Sequence, residues 1–106
     1  MTGFDERKKG FEAKWAHDEE LRFKVMARRN KLLGLWAAGQ KGLSGADADA
    51  YAKEVIAADF EEPGDEDVFR KVRADLPASL SDSAIRARMD ELIQTAADQV
   101  QQEGKK

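Results

Sequence analysis

The most constraining feature of the sequence is the spacing of its apolar residues, which recur every three or four positions in four stretches. The stretches cover about residues 18–39, 45–60, 66–76 and 82–102, and glycine or proline lies in each gap. Alanine occurs 17 times, Val, Ile and Thr together only 10 times, and no segment alternates polarity for long enough to form a strand. We therefore predict an all-α, four-helix bundle over residues 18–106, with short connections that place neighbouring helices antiparallel.

Each predicted helix has one apolar face. The first helix has the widest one, because Met26, Leu33 and Ala37 widen its apolar arc, and this predicts a central position for it. Arg28 falls near the middle of that face, where it must pair with a carboxylate or extend outward, because a buried unpaired charge is costly. A structural ion pair is favoured, and contact with an acidic partner is the alternative. The predicted inward residues are Leu21, Val25, Leu32, Leu35 and Trp36, then Ala48, Tyr51, Val55 and Ala58, then Val68, Val72 and Leu76, then Ile85, Met89, Leu92, Ala96 and Val100.

The helix boundaries carry recognisable capping and stop signals. Ser44, Asp65 and Ser81 stand directly before the second, third and fourth helices, where a side-chain oxygen can cap free backbone N–H groups. Gly39 is expected to end the first helix, and Pro77 the third. These signals predict where each helix begins and ends.

The composition excludes several classes of function. Lys and Arg number 18 and Asp and Glu 21, so the net charge of −3 argues against a nucleic-acid binder. The chain has no Cys and one His, which excludes a disulfide scaffold, a thiol nucleophile and a His or Cys metal site. The acidic run over residues 59–67 lacks the spacing of a calcium-binding loop. The longest apolar run, residues 32–38, is too short to cross a bilayer. We expect a soluble protein that binds a partner, with no metal.

An aromatic stripe precedes the four helices. Phe4, Phe11 and Trp15 recur at i, i+7 and i+11, so on a helix they lie within a narrow arc. If that helix continued forward, Leu21 and Val25 would point about a quarter-turn away from the stripe. The two sets of side chains therefore face different surfaces, and the aromatic one has no evident partner within the chain.

Energetics favour a conditional helix in residues 1–17. Burying three aromatic rings contributes about 5–9 kcal/mol, whereas ordering about 15 residues costs on the order of 15–30 kcal/mol in backbone entropy. Gly3 and Gly10 each oppose helix formation by about 1 kcal/mol. We expect this N-terminal segment to be mobile when free and helical when a partner supplies a groove. The alternative is that it simply begins a long first helix packed on its own bundle.

His17 lies at the junction between this segment and the first helix. Its side chain titrates near neutral pH when unperturbed. The favoured interpretation of His17 is an exposed or capping residue, and the more specific alternative is a pH-sensitive hinge.

Two further motifs suggest ligands. Residues 34–41 mimic a phosphate-binding loop, but no strand precedes them and Gln40 separates the second glycine from Lys41. A small-residue helix end that lets neighbouring helices approach closely explains them better. A second alternative is a nucleotide- or ligand-responsive module that binds ADP or ATP. In that case the pocket is formed by Arg28, Arg29, Trp36 and Tyr51.

Several long stretches resemble a known family. Residues 11–20, 27–38, 51–68 and 85–92, with Arg70-Lys-Val72, are similar to the ζ subunit of alphaproteobacterial F-type ATP synthases, an ATPase inhibitor. The resemblance covers essentially the whole chain. It implies a four-helix domain without enzymatic activity, peripheral on the cytoplasmic side of the inner membrane through the synthase.

The resemblance also implies a mechanism. The N-terminal segment enters the catalytic head, folds into a helix at an interface between an α and a β subunit near γ, and blocks rotation in the ATP-hydrolysing direction. Carried over to this sequence, that helix runs from Phe4 to about Trp15. The residues expected to contact the partner are Phe4, Arg7, Lys8, Lys9, Phe11, Glu12, Lys14 and Trp15.

Overall fold

A computed structural model of the protein describes residues 18–59 and 65–104. They form four helices, α1 (Glu19–Gln40), α2 (Gly45–Ala58), α3 (Glu66–Asp75) and α4 (Asp82–Gly104). No strand occurs among these residues. The predicted all-α, four-helix architecture is confirmed, whereas the behaviour expected of residues 1–17 falls outside the part of the chain that the structure describes.

Helix α1 has well-defined ends. The Asp18 carboxylate accepts a hydrogen bond from the Leu21 backbone N–H at 3.0 Å, which satisfies one of the free donors of the first turn. At the other end the helix continues one residue past Gly39, to Gln40. The chain then reverses at Gly42, whose φ of 80° costs glycine no steric strain.

The predicted caps differ in how they act. The Ser81 hydroxyl accepts from the Ala84 backbone N–H at 3.0 Å and caps α4 as predicted. Ser44 occupies the cap position of α2 in an extended conformation but makes no side-chain cap bond. Asp65 precedes α3 without capping it, because its carboxylate instead accepts a hydrogen bond from Arg29.

Proline shapes the connection between α3 and α4. Leu76 is extended, with φ −104° and ψ 155°, as expected for a residue that precedes Pro77. Arg73 fixes the turn by donating to the Leu80 carbonyl and to the Pro77 carbonyl, each at 2.7 Å. The turn is therefore held by a side chain of α3.

Helix α1 is central, as predicted: it packs extensively against α2 and α4 and also touches α3. Its buried face, however, is rotated toward α2 relative to the predicted one. Of the five residues of the predicted stripe only Val25 is fully buried, whereas Leu33 and Ala37, which were predicted to widen the apolar arc, are fully buried because α2 covers that side of the helix. The buried residues of α1 are Val25, Arg29, Asn30, Leu33, Gly34, Ala37 and Ala38.

The contact between α1 and α2 depends on Gly34. A Cβ atom built there would lie 2.6 Å from the Cα and 3.0 Å from the Cβ of Ala52. Two helix backbones can approach this closely only where a side chain is missing. The small-residue interpretation of this stretch is confirmed.

Among the residues that the structure describes, two apolar clusters form the core. The larger one joins all four helices around Leu33, Val55, Val72 and Ile85. The smaller one joins the beginning of α1 to the end of α4 through Val25 and the small residues of α4.

Candidate functional site

A buried guanidinium links α1 to the connection between α2 and α3. The Arg29 side chain is fully buried, and its Nη2 donates to Asp65 Oδ1 at 2.8 Å while its Nε donates to Asn30 Oδ1 at 2.7 Å. The Asn30 side chain also hydrogen-bonds Asp59. Nη1 has no hydrogen-bond partner in the described part of the chain. Arg29 and Asn30 thus hold both ends of the 59–65 connection against α1.

Burial controls the electrostatics of this cluster. Desolvation raises the pKa of Asp59 above its usual range, and the hydrogen bond from Asn30 and the Arg29 charge only partly oppose that rise. A guanidinium in fixed contact with structural carboxylates serves primarily to position the connection.

Arg28 was expected at the centre of the apolar face, and that placement was wrong: the centre belongs to Arg29. Arg28 lies at the edge, where it forms an ion pair with Glu103 and donates to Gln99 Oε1 at 2.8 Å. The predicted structural ion pair of Arg28 is confirmed. The difference arises because α2 and α4 approach α1 from two sides, so the most buried line runs between them.

Tyr51 belongs to a second polar group, between α2 and α3. Its hydroxyl donates to Asp75 Oδ2 at 2.9 Å, and Lys71 Nζ lies 2.9 Å from the same oxygen. Burial, followed by the bond to Asp75, raises the pKa of Tyr51 far above its usual value. Burial also tends to raise the pKa of Asp75, but the hydrogen bonds from Lys71 and Tyr51 outweigh it and lower that pKa. Lys41 lies over the Tyr51 ring, 4.5 Å from its centre.

The four residues considered for a nucleotide pocket point to different places. Arg28 is engaged with the end of α4, and Arg29 with the 59–65 connection. Tyr51 is engaged with α3, while Trp36 is half-buried with the Arg88 guanidinium 5.4 Å from its ring centre. The structure does not bring these four side chains together, and nucleotide binding stays a prediction.

The predicted partner-binding residues and the predicted hinge lie outside the described residues. They are Phe4, Arg7, Lys8, Lys9, Phe11, Glu12, Lys14, Trp15 and His17.

An apolar groove on the surface was not predicted from the sequence. We define the Phe23 groove as the two adjoining cavities that Phe23, Ala27 and Ile56 line together, with volumes of about 360 and 230 Å³. Phe23 keeps 60% of its surface exposed, more than any other large apolar residue in the described ranges. The available signal was a Phe outside the predicted core stripe of α1, among charged neighbours.

The described residues offer no other specialised chemistry. Within 18–59 and 65–104, no three Asp, Glu or His side chains are grouped so that they could hold a metal ion. No helix in the same ranges is both long and apolar enough to span a membrane.

A small four-helix domain with paired surface charges and an exposed apolar groove is typical of a protein-binding module. Comparison with known proteins identifies a family within this class. The sequence model of the family "ATPase inhibitor subunit zeta" matches residues 1–99. The chain therefore belongs to the ATPase inhibitor subunit zeta family, which supports an inhibitory, regulatory role and confirms the resemblance noted in the sequence.

A solved structure supports the fold. A protein whose structure was determined in solution by NMR is 49% identical, with a TM-score of 0.74, and the match covers 78% of this chain and 98% of that one. No curated protein matches the chain.

Proposed function

We propose that this protein inhibits ATP hydrolysis by the F-type ATP synthase. Its segment from Phe4 to Trp15 folds into a helix at a catalytic interface between an α and a β subunit, near γ, and blocks rotation in the hydrolysing direction. The observation that carries the proposal is the extent of the family match, which spans residues 1–99 and so includes this segment as well as the helices.

The packing of α1 supports a division of labour between the segment and the bundle. The buried face of α1 is covered by α2 and α4, which contribute apolar side chains such as Val55, Ala96 and Val100. We assign the stripe of Phe4, Phe11 and Trp15 to the partner, because buried aromatic residues commonly dominate the affinity of a helix for a groove.

The charged residues of the segment serve a different purpose from the aromatic ones. Charges at the rim of an interface chiefly set its register and association rate. We assign that role to Arg7, Lys8, Lys9, Glu12 and Lys14. The bundle docks outside the catalytic interface and keeps the segment at a high effective concentration. The protein then resides on the cytoplasmic face of the inner membrane, where the synthase head is located.

The direct test adds purified protein to the matching synthase head and measures ATP hydrolysis. We expect the full chain to inhibit, and deletion of residues 2–15 to abolish inhibition while the helical content of the remainder persists in circular dichroism. A truncated chain that blocks hydrolysis as well as the full chain does would contradict the mechanism.

A single substitution refines this test. Trp15→Ala should raise the half-inhibitory concentration about tenfold or more, as removal of an aromatic anchor typically does. Trp15→Phe keeps a ring at the same position and serves as the matched control, with a much smaller effect. Equal effects of the two substitutions would exclude an anchoring role for the ring.

A further inference from the structure

We propose that the Phe23 groove is a second docking surface, which binds an amphipathic helix with acidic flanks on the catalytic head of the synthase. The inference rests on the proposed function and extends it, because it names the surface by which the bundle holds its partner. The surface joins α1 to α2 and α4 and lies outside the segment of residues 4–15.

The groove exists because α1 extends beyond α2. Helix α2 ends at Ala58, level with Asn30, whose side chain meets Asp59. The beginning of α1 therefore projects past the end of α2, and Phe23 and Ala27 lie beside the last turn of α2, where Ile56 lines the same cavities. On the opposite side of these turns Val25 packs on the end of α4 and is 1% exposed. The bundle thus buries one face of this part of α1 and leaves Phe23 with 60% of its surface exposed.

The lining of the groove is predominantly apolar. Phe23 and Ala27 of α1 face Ile56 of α2, and Val100 of α4 lines the larger cavity. Together the two cavities offer enough space for a few apolar side chains, such as those along one face of a partner helix.

The charge beside the groove identifies the occupant. Lys24, Arg28 and Lys31 follow one another at i, i+4 and i+7, so they form a basic row along α1 beside Phe23 and Ala27. This row lies on a chain whose net charge is −3. Glu103 and Asp59 also line the cavities, but the three cations outnumber them, so the groove favours a partner with acidic residues next to its apolar face.

The basic row retains charge for a partner. Arg28 is paired with Glu103. Lys24 lies 3.6 Å from Glu20, and both side chains are mostly exposed, so water screens this contact strongly. Lys31 forms no ion pair with any described residue. Lys31 and Lys24 are thus the groups best placed to meet acidic side chains.

The length of the row sets the size of the occupant. Residues 23 and 31 are eight positions apart, which spans about 12 Å along a helix, or slightly more than two turns. A partner helix of that length matches the groove with apolar residues at i and i+4. It matches the basic row with acidic residues one turn away from them. Phe23 also follows Trp15 by eight positions, so a head that holds the inhibitory helix has the groove within reach.

The experiment uses the full chain and the purified synthase head, and compares three variants with the parent protein. Phe23→Ser removes the exposed ring, and Lys31→Glu reverses one charge of the basic row. Arg88→Glu is the matched control: it makes the same change of charge on α4, beside Trp36, and Arg88 lines neither cavity of the groove. Circular dichroism verifies that all variants fold, which is expected because each altered side chain is largely exposed.

Binding of the labelled chain to the head and inhibition of hydrolysis are measured separately. We expect Phe23→Ser to raise the dissociation constant and the half-inhibitory concentration about tenfold, with inhibition at saturation unchanged. Lys31→Glu should slow association severalfold at low salt, and that difference should fade as salt rises. Arg88→Glu should stay within about twofold of the parent.

Each contrary result has its own meaning. If Phe23→Ser and Lys31→Glu match the parent while the parent inhibits, the groove is not a docking surface and the proposed inhibition stands. If the parent binds the head without inhibiting it, the proposed function fails, and a loss of binding in Phe23→Ser still supports the groove. If instead the parent self-associates in sedimentation and Phe23→Ser abolishes only that, a second copy is the occupant and the proposal is overturned.

Discussion

Replacing Gly34 with alanine tests the close contact between α1 and α2. The added Cβ would lie 2.6 Å from the Cα of Ala52 and 3.0 Å from its Cβ. Carbon atoms that are not bonded pack best about 3.5–4.0 Å apart, so this approach is strongly repulsive. One of the two atoms belongs to the backbone of α2, so a change of rotamer cannot relieve the clash.

Two opposing effects set the size of the change. Alanine favours a helix interior over glycine by about 1 kcal/mol. Overpacking a close contact typically costs about 1–3 kcal/mol, and a backbone partner places Gly34→Ala toward the upper end of that range. We therefore expect a net loss of about 1–2 kcal/mol in the free energy of unfolding. For a domain of this size that corresponds to a melting temperature lower by about 4–16 °C.

Gly39 provides the matched control. It lies on the same helix, and a Cβ built there would meet no atom within 4 Å. Gly39→Ala should therefore keep or slightly raise stability, because only helix propensity changes. Thermal and urea unfolding followed by far-ultraviolet circular dichroism measures both variants. If Gly34→Ala is as stable as Gly39→Ala, then α1 and α2 do not approach each other as closely at Gly34 as the structure shows.

Other predictions concern the buried polar groups. Arg29→Ala should lower the free energy of unfolding by about 2–4 kcal/mol, because it empties a buried volume and releases the 59–65 connection. Arg28→Ala should lower it by less than about 1 kcal/mol. Urea midpoints that rank the two variants in reverse would contradict this assignment. Because the folded state lowers the pKa of Asp75, its carboxylate contributes stability above about pH 4, and that stability declines as the pH falls through the lowered pKa. Tyr51→Phe should cost about 1 kcal/mol at neutral pH and weaken this decline, and an unchanged dependence of the urea midpoint on pH would argue against the Tyr51–Asp75 hydrogen bond.

Much of the local structure followed from the sequence alone. The four helices begin within one residue of the predicted positions, and α2 ends two residues earlier than predicted while α4 ends two residues later. Local signals explain this success: Ser81 caps α4, and Pro77 forces the preceding residue out of the helix. Such effects act over a few residues, so no knowledge of neighbouring helices is needed to predict them.

The aromatic stripe of the N-terminal segment and the family resemblance were also legible in the sequence. The choice between Arg28 and Arg29 was not. Adjacent residues on a helix differ in direction by about 100°, so a modest rotation of the buried face exchanges their roles. That rotation depends on how α2 and α4 together enclose α1, which periodicity within α1 does not encode.

The chain by itself thus determined its secondary structure and its helical class, because periodicity and capping are properties of neighbouring residues. Only the tertiary structure decided that Arg29 is the buried cation, that Gly34 admits Ala52, and that Phe23 remains exposed. Each of these depends on where a helix from elsewhere in the chain ends or approaches. Packing between distant segments, rather than local propensity, assigned those roles.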